Sequence, residues 1–529
     1  MGAAVVMETE QKFDVDDSAP VPAFLDVPGI DRVEGPELDS LEAVYFDTAA
    51  LDLAARGMTL RRSTGGSDAG WHLKVPEGPD RKRDFHAPTG LEDAVPPALL
   101  DELRVHLRGH ELVPLARITT LRSTLRLYAP DGTCVAEFAD DDVNAQVLHP
   151  VQSTDHWREW GVELKQGGPG FLTGAEAALA RAGARSSEHT SKLGRALGGS
   201  WPAARIHSTV VPRADGPASD VVISYLGEHI DRLIQLDPQV RRDEADALHQ
   251  FRAATRRIRS VLETYRSLFD KNTIKGLAAD LKWLARLLGR ARDAEVLRDR
   301  IRDTAVLSPR GTQDKSALQP IEQDLNTSYD LGYGRALRAM DSVRYYGLLD
   351  NLESFHRNPS ATARASRPAL EVTAKIVNKS VNQLRLDHKE IRRSVRPNAR
   401  DKALHRVRKD AKRLRHAAEA VASIHGGQAV RLAQAAEAIQ KILGEHQDSV
   451  LAQAVLRHRI SDKELPKDTK RAYKKALATE EHRAAAAEAE YMGTRKTPHE
   501  TRLKPAGSPS NELKGRRTAR RPKDFRSQP

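Results

Sequence analysis

The sequence has little cysteine, few aromatic residues and no long apolar run, and each shortage narrows what the chain can be. The only cysteine, Cys134, cannot form a disulfide within the chain and offers no cysteine cluster for zinc, which favours a reducing compartment. Aromatic residues are 5% of the chain, too few for the base-stacking surfaces of single-stranded nucleic-acid binders. No apolar stretch approaches the roughly 18 residues of a membrane span, and MGAAVVM is too short for a signal peptide. We therefore expect a cytoplasmic protein.

The charged residues are divided unequally along the chain. A chain of 529 residues exceeds what one hydrophobic core usually supports, so two or more domains are expected. Residues 1–200 contain 20 Lys and Arg against 32 Asp and Glu, whereas the remaining residues contain 64 against 41. The basic second part is expected to attract a polyanion or an anionic membrane surface.

The hydrophobic periodicity also changes near residue 200. Before it, short runs rich in Val, Phe, Tyr and Thr alternate with Gly/Pro/Asp turns, which is typical of an antiparallel sheet. We predict strands at 7–15, 42–47, 58–63, 70–75, 118–128, 133–142 and 157–164, and helices near 97–104 and 173–182. From about 220 the apolar residues recur at helical spacing. The predicted domains are a sheet domain 1–200, a linker 201–217, an all-helical domain 218–490 and a disordered basic tail 491–529.

Two basic segments repeat each other position by position in the helical half. LHQFRAATRRIRSVL occupies 248–262 and LHRVRKDAKRLRHAA occupies 404–418. Helical spacing places a row of cations on one side and the apolar residues on the adjacent side in each copy. LLGRARD at 287–293 and ILGEHQD at 442–448 follow the two copies at nearly equal distances, which indicates a duplication. Two similar helical units would bring both cation rows into one groove.

Such a groove suits phosphate, because guanidinium groups offer paired donors and each neutralised phosphate releases counterions. The scarcity of aromatic residues favours a ligand made of phosphate without bases. The basic faces could instead be solvated surfaces, and the two histidines could be satisfied core residues.

These repeated segments resemble the CHAD domain, an α-helical domain with conserved histidines that is built as two four-helix halves. The resemblance covers roughly 217–460 and includes DSVRYYGLL at 341–349. It implies a polyphosphate-binding module. The residues that match its motif are His249, Arg252, Arg256, Arg257, Arg259, His405, Arg408, Lys412, Arg413 and Arg415.

The sheet half begins with ETEQK, in which Glu8, Glu10 and Lys12 alternate. A strand would point all three side chains to one face. Carboxylates are ligands suited to Mg²⁺ or Mn²⁺, and a neighbouring lysine can hold a phosphoryl oxygen. The bare pattern is also compatible with an ordinary polar strand face. Further alternating candidates are Arg61, His72, Lys74, Thr120, Arg122, Thr124, Glu137, Asp141, Glu159 and Glu163.

In order along the chain, these segments resemble the CYTH domain of the triphosphate tunnel metalloenzymes. The segments are ETEQKF, YFDTAALDLAARGMTLRR, GWHLKVP, ITTLRSTL, AEFADDDV, VELK and SKL, which span about 7–197. The resemblance implies an eight-stranded antiparallel β tunnel before the two pseudo-symmetric four-helix bundles, and metal-dependent hydrolysis of a linear triphosphate. By position, Glu8, Glu10 and Glu163 would bind metal with help from Glu137 or Asp141, and Glu8, Glu10 and Lys12 would be catalytic. The residues implied in binding the phosphates are Lys12, Arg61, Lys74, Arg122 and Lys192.

Two residues depart from the CYTH pattern. Ser63 stands where a second basic residue follows Arg61, and Gly161 stands where a glutamate precedes Glu163. The first hypothesis is a metal-dependent inorganic triphosphatase whose helical domain retains polyphosphate, with a cytoplasmic location that can include polyphosphate granules. The second is a polyphosphate-binding protein with little or no turnover. A third is a thiamine triphosphatase or an adenylyl cyclase.

Overall fold

The computed structural model describes residues 4–66, 69–77, 81–90, 94–166, 168–204, 210–306, 311–393, 396–494 and 502–504. The chain forms two compact units. The first comprises Met1–His207, Ile234–Ala245 and Asp341–Tyr346, and the second comprises the other residues. No helix in the described part of the chain is both long and apolar enough to cross a membrane.

The first unit is built around one antiparallel sheet. Its strands are β1 (Ala4–Asp14), β2 (Arg32–Asp47), β3 (Thr59–Thr64), β4 (Gly70–Pro76), β5 (Arg81–Ala87), β6 (Val113–Tyr128), β7 (Cys134–Val147), β8 (Ser153–Leu164) and the two-residue β9 (Arg185–Ser186). The order is β5-β4-β3-β2-β6-β7-β8-β1-β9, and β1 also pairs with β5, which closes the sheet. The predicted eight-stranded antiparallel tunnel is confirmed, with β9 as a short addition beside β1.

The closed sheet is polar inside and apolar outside. Its outer face is covered by α1 (Pro97–Leu107) and α2 (Pro169–Arg181). Leu60, Trp71 and Phe85 pack with Leu99 and Leu103 of α1 in one buried cluster. Phe138 and Trp160 pack with Leu179 of α2 in another. Burial of these large side chains in water-free clusters stabilises the sheet from its outer surface.

One end of the sheet is filled by apolar side chains. Ile118, Val143 and Trp157 cluster there with Leu193 and Leu197 of α3 (Lys192–Leu197). Ser191 begins α3 by accepting a hydrogen bond from the backbone N–H of Gly194 at 3.0 Å, as an N-terminal cap does. This short helix therefore closes the sheet at one end and carries Lys192 beneath the polar interior.

The sequence periodicity does not predict β5, although the structure contains it. Its segment RKRDFHA has one large apolar residue, Phe85, which packs outward, while Lys82, Asp84 and His86 line the interior. Alternation of apolar and polar residues identifies a strand only when one face meets an apolar core. In β5 the inner face meets a polar cavity, so the usual signal is nearly absent.

The second unit is helical, as the periodicity predicts. Its helices, with α4 and α8 shared between the two units, are α4 (Ala218–Arg241), α5 (Ala247–Thr264), α6 (Lys271–Val306), α7 (Gly311–Met340), α8 (Val343–Arg357), α9 (Ala369–Arg393), α10 (Pro397–Glu419), α11 (Ala422–His425), α12 (Gly427–Ile460) and α13 (Lys467–Gly493). Helix α5 packs against α6, α10 packs against α9 and α12, and α5 also packs against α10. The two repeated segments therefore lie on neighbouring helices.

Part of the predicted disordered tail is anchored. The side-chain amide of Asn378 donates to the carbonyl oxygen of Leu503 at 2.9 Å, and the backbone N–H of Leu503 donates to the Asn378 oxygen at 3.0 Å. Leu503 is buried. Residues 495–501 and 505–529 of the predicted tail, and 205–209 of the predicted linker, lie outside the described residues. The predicted domain limits stay predictions.

Candidate functional site

The interior of the closed sheet holds a polar cavity of about 530 Å³. Eight of its described lining residues are Lys or Arg and seven are Asp or Glu, so the two charges nearly balance. The basic residues are Lys12, Arg61, Lys74, Lys82, Arg122, Arg126, Lys165 and Lys192, and the acidic residues are Glu8, Glu10, Glu37, Asp39, Asp84, Glu137 and Glu163. Of the residues predicted to face the interior, all line the cavity except Thr120, Asp141 and Glu159.

Strand β1 presents the ETEQK side chains to this cavity. Glu10 lies directly opposite Glu163 of β8, and Glu8 lies opposite Lys82 of β5, because β1 leaves β5 and joins β8 between residues 9 and 10. Lys12 Nζ donates to Glu10 Oε1 at 2.9 Å. Lys74 reaches Glu8 and Lys165 reaches Glu163, at 2.7 and 2.9 Å.

The charges of two of the predicted metal-binding glutamates affect the ionisation of the third. Burial raises the pKa of Glu163, and the charges of Glu8 and Glu10 raise it further against the opposing effect of Lys165. Burial also disfavours ionisation of Glu10, but the charges of Lys12 and Lys74 outweigh it and hold the pKa of that carboxyl well below its usual range. The three carboxylates therefore share one electrostatic environment.

A second ion network lies deeper in the sheet. Arg122 grips Asp141 through two hydrogen bonds of 2.7 Å, and Lys192 donates to Asp141 at 2.6 Å and to Glu159 at 2.8 Å. Lys12 also contacts Glu159, at 3.2 Å. Burial disfavours the charged carboxylates, but the surrounding cations lower the pKa of Asp141 and lower that of Glu159 to about 2. Both carboxylates are therefore ionised partners of the neighbouring cations Arg122, Lys192 and Lys12.

Glu137 and Asp141, the two residues predicted to assist in metal binding, lie at different places in the sheet. Glu137 lies directly opposite Glu163 on paired strands, whereas Asp141 lies opposite Glu159. Glu137 also lines the cavity and Asp141 does not, so Glu137 is the candidate that lies beside Glu163.

The carboxylate oxygens in the cavity are chemically suited to bind a divalent cation. Glu8, Glu10 and Glu163 supply the oxygen ligands that Mg²⁺ and Mn²⁺ prefer. In the described residues no three His, Cys, Asp or Glu side chains stand close enough to hold a metal ion as they are placed. The carboxylates instead face Lys74, Lys12 and Lys165. Metal binding would therefore require these side chains to rotate from the lysines toward the ion.

Gly161 has a structural reason for lacking a side chain. It lies opposite Lys12 on paired strands, and a Cβ atom built there would lie 3.1 Å from Glu10 Oε1. The glycine therefore leaves room for the Glu10 carboxylate in its present orientation. Ser63, in contrast, is nearly buried where β3 pairs with Gly70 of β4, and its hydroxyl adds no charge to the cavity.

Several lining residues are absent from the predicted site, chiefly because the hydrophobic periodicity does not predict β5. Lys82, Asp84 and His86 alternate in RKRDFHA, so the same period-two rule would have found them once the strand was recognised. Arg126 and Lys165 each hold Glu137, at 3.2 and 3.0 Å. Arg126 continues the inward alternation of Arg122 and Thr124 along β6.

The predicted groove residues of the helical unit include a compact cation cluster. We call Arg252, Arg256, Arg408 and Lys412 the central cluster. Burial and the charges of Arg256, Arg408 and Arg252 lower the pKa of Lys412 to about 6. Burial, Arg252 and Arg408 likewise lower the pKa of Arg256 to about 10. Helices α5 and α10 pack against each other, so these four cations lie near enough to repel one another.

The repeated LG motifs give these arginines space. A Cβ atom at Gly289 would lie 3.5 Å from Arg252 Nη2, and one at Gly444 would lie 3.7 Å from Arg408 Nε. Each guanidinium therefore lies against a glycine of the helix that follows its own segment. The sequence shows the repetition of these glycines, but their role depends on the packing of α6 and α12.

The predicted groove residues differ in whether a neighbouring side chain binds them. Arg252, within the central cluster, also contacts Asp293 at 2.9 Å. For Arg256, Arg408 and Lys412, no ion-pair partner occurs among the described residues, and the Nε atoms of Arg252, Arg256 and Arg408 are buried without an acceptor there. The remaining contacts are Arg257–Glu419 at 3.5 Å, Arg415–Glu419 at 2.7 Å, Arg259–Glu263 at 3.5 Å, Arg413–Asp410 at 2.7 Å and His405–Gln447 at 2.8 Å.

The histidines differ from the central cluster. Burial and the charge of Arg292 lower the pKa of His249 below its usual value, which favours the neutral ring. His405 is exposed and contacts the Gln447 side chain. The central cluster is therefore the part of the predicted set with the largest unbalanced positive charge.

Comparisons with known proteins agree with this division of the chain. The model of the CHAD domain family matches residues 224–457. An uncharacterized protein of Mycobacterium tuberculosis is 37% identical over 461 residues, which cover 84% of this chain and 87% of that protein. Among solved structures, the CHAD domain from the plant Ricinus communis has 23% identity and a TM-score of 0.43, and covers 55% of this chain and 96% of its own.

A second structural likeness involves a putative adenylyl cyclase from Hippeastrum with a dominant triphosphatase activity. It is 18% identical, covers 36% of this chain and 95% of its own, and has a TM-score of 0.24. The match assigns residues 224–457 to the CHAD domain family, and the closed antiparallel sheet that precedes them has the fold that the CYTH resemblance predicts.

Proposed function

We propose that the tunnel is a metal-dependent inorganic triphosphatase and that the helical unit binds polyphosphate. The observation that carries the enzymatic part is the cavity lining, in which eight cations and seven carboxylates share one closed sheet. A near balance of charge suits a divalent metal and a phosphate chain bound together better than a bare polyanion. Inorganic triphosphate would be split into diphosphate and orthophosphate.

The residues divide into three roles in this proposal. Glu8, Glu10 and Glu163 would hold Mg²⁺ or Mn²⁺, which supplies charge neutralisation at the phosphoryl oxygens and polarises the phosphorus when it is bound. Lys12 would act in catalysis from its position between the metal-binding wall and the phosphates, donating hydrogen bonds to phosphoryl oxygens. The remaining phosphate-holding residues would be Arg61, Lys74, Arg122 and Lys192.

Replacement of intramolecular ion pairs is the central event of substrate binding. Lys74 and Lys12 now donate to Glu8 and Glu10. When a metal takes the carboxylates, both ammonium groups become available to phosphate, so metal and triphosphate support each other's binding. Asp141 and Glu159 hold Arg122 and Lys192 in place, which limits the reorganisation needed in the transition state.

The apolar end formed around α3 supports a short substrate. Ile118, Val143 and Trp157 fill the interior at that end. A dead-ended cavity of about 530 Å³ accommodates a short linear phosphate more readily than a threaded long chain.

A polyphosphate-binding tunnel with little turnover is the second candidate. Ser63 adds no cation, and Gly161 adds no carboxylate beside Glu163, so both departures weaken the constellation. A thiamine triphosphatase or an adenylyl cyclase has less support, because Tyr45 is the one phenol or indole ring in the described cavity lining. A base or thiazolium ring would find few stacking partners.

The test is a substrate screen with purified full-length protein. Phosphate release would be measured for inorganic triphosphate, longer polyphosphate, ATP and thiamine triphosphate, each with Mg²⁺, Mn²⁺ or chelator. We expect metal-dependent release that is fastest with inorganic triphosphate. Tight triphosphate binding without release under every metal condition would favour the second candidate instead.

In the helical unit, the central cluster would bind the phosphate chain. Its buried guanidinium Nε atoms lack acceptors among the described residues, and its charges repel one another across α5 and α10. A polyphosphate chain would supply repeated anionic oxygens. These would accept hydrogen bonds from the Nε atoms and offset the repulsion among the cations.

Polyphosphate binding is expected to take up protons. The pKa of Lys412 is lowered to about 6 by burial and the neighbouring arginines, and a bound polyanion would raise it. Between these two pKa values the complex holds more protons than the free protein, so affinity falls as pH rises above 6, by up to about tenfold per pH unit per proton. Calorimetry at pH 7.5 in two buffers with different ionisation enthalpies would measure the uptake. It should disappear in Lys412→Met, and equal binding enthalpies in both buffers for the wild type would contradict the linkage.

A further inference from the structure

Three buried polar atoms lie on one wall of the tunnel without a hydrogen-bond partner among the described residues. They are Arg61 Nε, Asp84 Oδ1 and His86 Nε2. All three residues line the same cavity. A buried polar atom without a partner carries a desolvation cost, so a cluster of three points to a ligand that completes their hydrogen bonds.

The strand register brings these groups together. Arg61 of β3 lies opposite His72 of β4, and His72 lies opposite His86 of β5. The two imidazole rings stack, with centroids 4.6 Å apart and an interplanar angle of 21°. Asp84 precedes His86 by two residues, so both side chains lie on the same face of β5. Asp84 lies opposite Lys74 of β4. The set therefore occupies one continuous patch across three neighbouring strands.

One carboxylate oxygen of Asp84 contacts neighbouring side chains, and the other has no hydrogen-bond partner among the described residues. Asp84 Oδ2 lies 3.3 Å from His72 Nδ1 and 3.9 Å from Lys74 Nζ. These contacts fix the carboxylate plane and leave Oδ1 as an acceptor. The hydrogen bond from His72 and the charges of Lys74 and Arg61 lower the pKa of Asp84 despite its burial, so this acceptor is ionised.

Gly70 makes the position of His86 possible. A Cβ atom at Gly70 would lie 2.4 Å from His86 Nε2 and 2.7 Å from the carbonyl oxygen of Ala87. Gly70 also has a φ of +155°, which side-chain-bearing residues rarely adopt. Absence of a side chain at this strand start therefore leaves room for the His86 imidazole, which stacks on His72.

The combination of donors and an acceptor restricts the ligand. Arg61 Nε can only donate, and ionised Asp84 can only accept, while His86 Nε2 donates or accepts according to its tautomer. A bridging interior phosphoryl group has no hydrogen to offer Asp84. A terminal phosphoryl group near neutral pH carries one P–OH together with anionic oxygens, and it satisfies all three atoms.

We propose that Arg61, Asp84 and His86 form a subsite that recognises the singly protonated terminal phosphoryl group of the substrate. Arg61 and His86 contact its oxygens, and Asp84 accepts the hydrogen of its P–OH. His72 is a positioning residue that holds Asp84 and stacks on His86. The subsite rests on the proposed function in assuming a linear triphosphate in the tunnel, and it adds selection for a free chain end.

Equilibrium binding tests the subsite separately from catalysis. Inorganic triphosphate and P1,P3-dimethyl triphosphate, whose ends lack P–OH, would be titrated by calorimetry with Ca²⁺ present. Wild-type protein should bind triphosphate about tenfold to a hundredfold more tightly than the diester, as the loss of a hydrogen bond to a charged group predicts. Asp84→Asn should remove most of this preference. His86→Phe, which keeps the stacked ring, should weaken both ligands and leave their ratio nearly unchanged.

The matched control is Asp142→Asn, which neutralises a half-exposed carboxylate on the outer side of β7 and should keep the wild-type preference. Equal preference in wild type and Asp84→Asn, or wild-type affinities in His86→Phe, would overturn the subsite even if triphosphate is hydrolysed. No triphosphate binding by the wild type would overturn the proposed tunnel function and the subsite together. Thermal melting would verify that each variant is folded.

Discussion

Replacement of Glu10 by glutamine is expected to slow metal-dependent phosphate release from triphosphate by about a hundredfold to a thousandfold, the range seen when one positioned electrostatic contact is removed. Glutamine keeps the size of the side chain and an oxygen for Lys12, which donates to Glu10 at 2.9 Å. It removes the negative charge that would join Glu163 in binding the metal. Initial rates across a Mg²⁺ and Mn²⁺ series would measure the loss, which excess metal should partly restore.

The control is Glu42→Gln, because Glu42 is half-exposed and pairs with Arg117 rather than lining the cavity. Its rate and metal dependence should match those of the wild type. Unchanged turnover by the Glu10→Gln variant at every metal concentration would exclude Glu10 from the active site. The proposed triphosphatase would then need another metal-binding set.

Reversing the charges of Arg252 and Arg408 together is expected to weaken polyphosphate binding at low salt by at least about a hundredfold and to flatten its dependence on salt. The two arginines lie against equivalent glycines of the repeated motifs, one on each half of the duplication. Their replacement by glutamate adds repulsion where the central cluster gathers phosphate. Titration of a long polyphosphate at several salt concentrations would measure both effects.

Lys402→Glu/Arg406→Glu provides the matched control, since it changes the net charge equally at two exposed positions of α10 that lie outside the predicted set. This control should lose far less affinity than the Arg252→Glu/Arg408→Glu variant. Equal losses in the two double variants would mean that the groove attracts polyanions through net charge alone. Removal of residues 505–529 from each protein would separate any contribution of the basic C-terminal segment.

The helical half was largely predictable, because two independent regularities agree in its sequence. Apolar residues at helical spacing indicate the helices, and the repeated His/Arg segments place two cation rows in equivalent positions. The sequence did not distinguish Arg257 and Arg415, which bind Glu419, from Arg256 and Arg408. All of them match the repeated motif, and only neighbouring helices decide which guanidinium groups meet a carboxylate.

The tunnel was predictable in its first and last strands but not in β5. The alternation in ETEQK and VELK predicts carboxylates that point inward. The order of the motifs along the chain predicts the tunnel fold through the resemblance to the CYTH domain. RKRDFHA carries charges on both faces, so hydrophobic periodicity fails where a strand lines a polar cavity. The same failure concealed Lys82, Asp84 and His86 as lining residues.

By itself the sequence determined the division into a sheet half and a helical half, the alternation of ETEQK, and the duplication of the basic segments, because periodicity and repetition can be read along the chain. Tertiary structure alone decided that Glu10 faces Glu163, that Asp141 is held by Arg122 and Lys192, and that Asp84 joins His86 and Arg61. Such pairings depend on which strands become neighbours when the sheet closes. A site assembled across several strands therefore acquires its charges and its orphaned hydrogen-bonding atoms only in the folded chain.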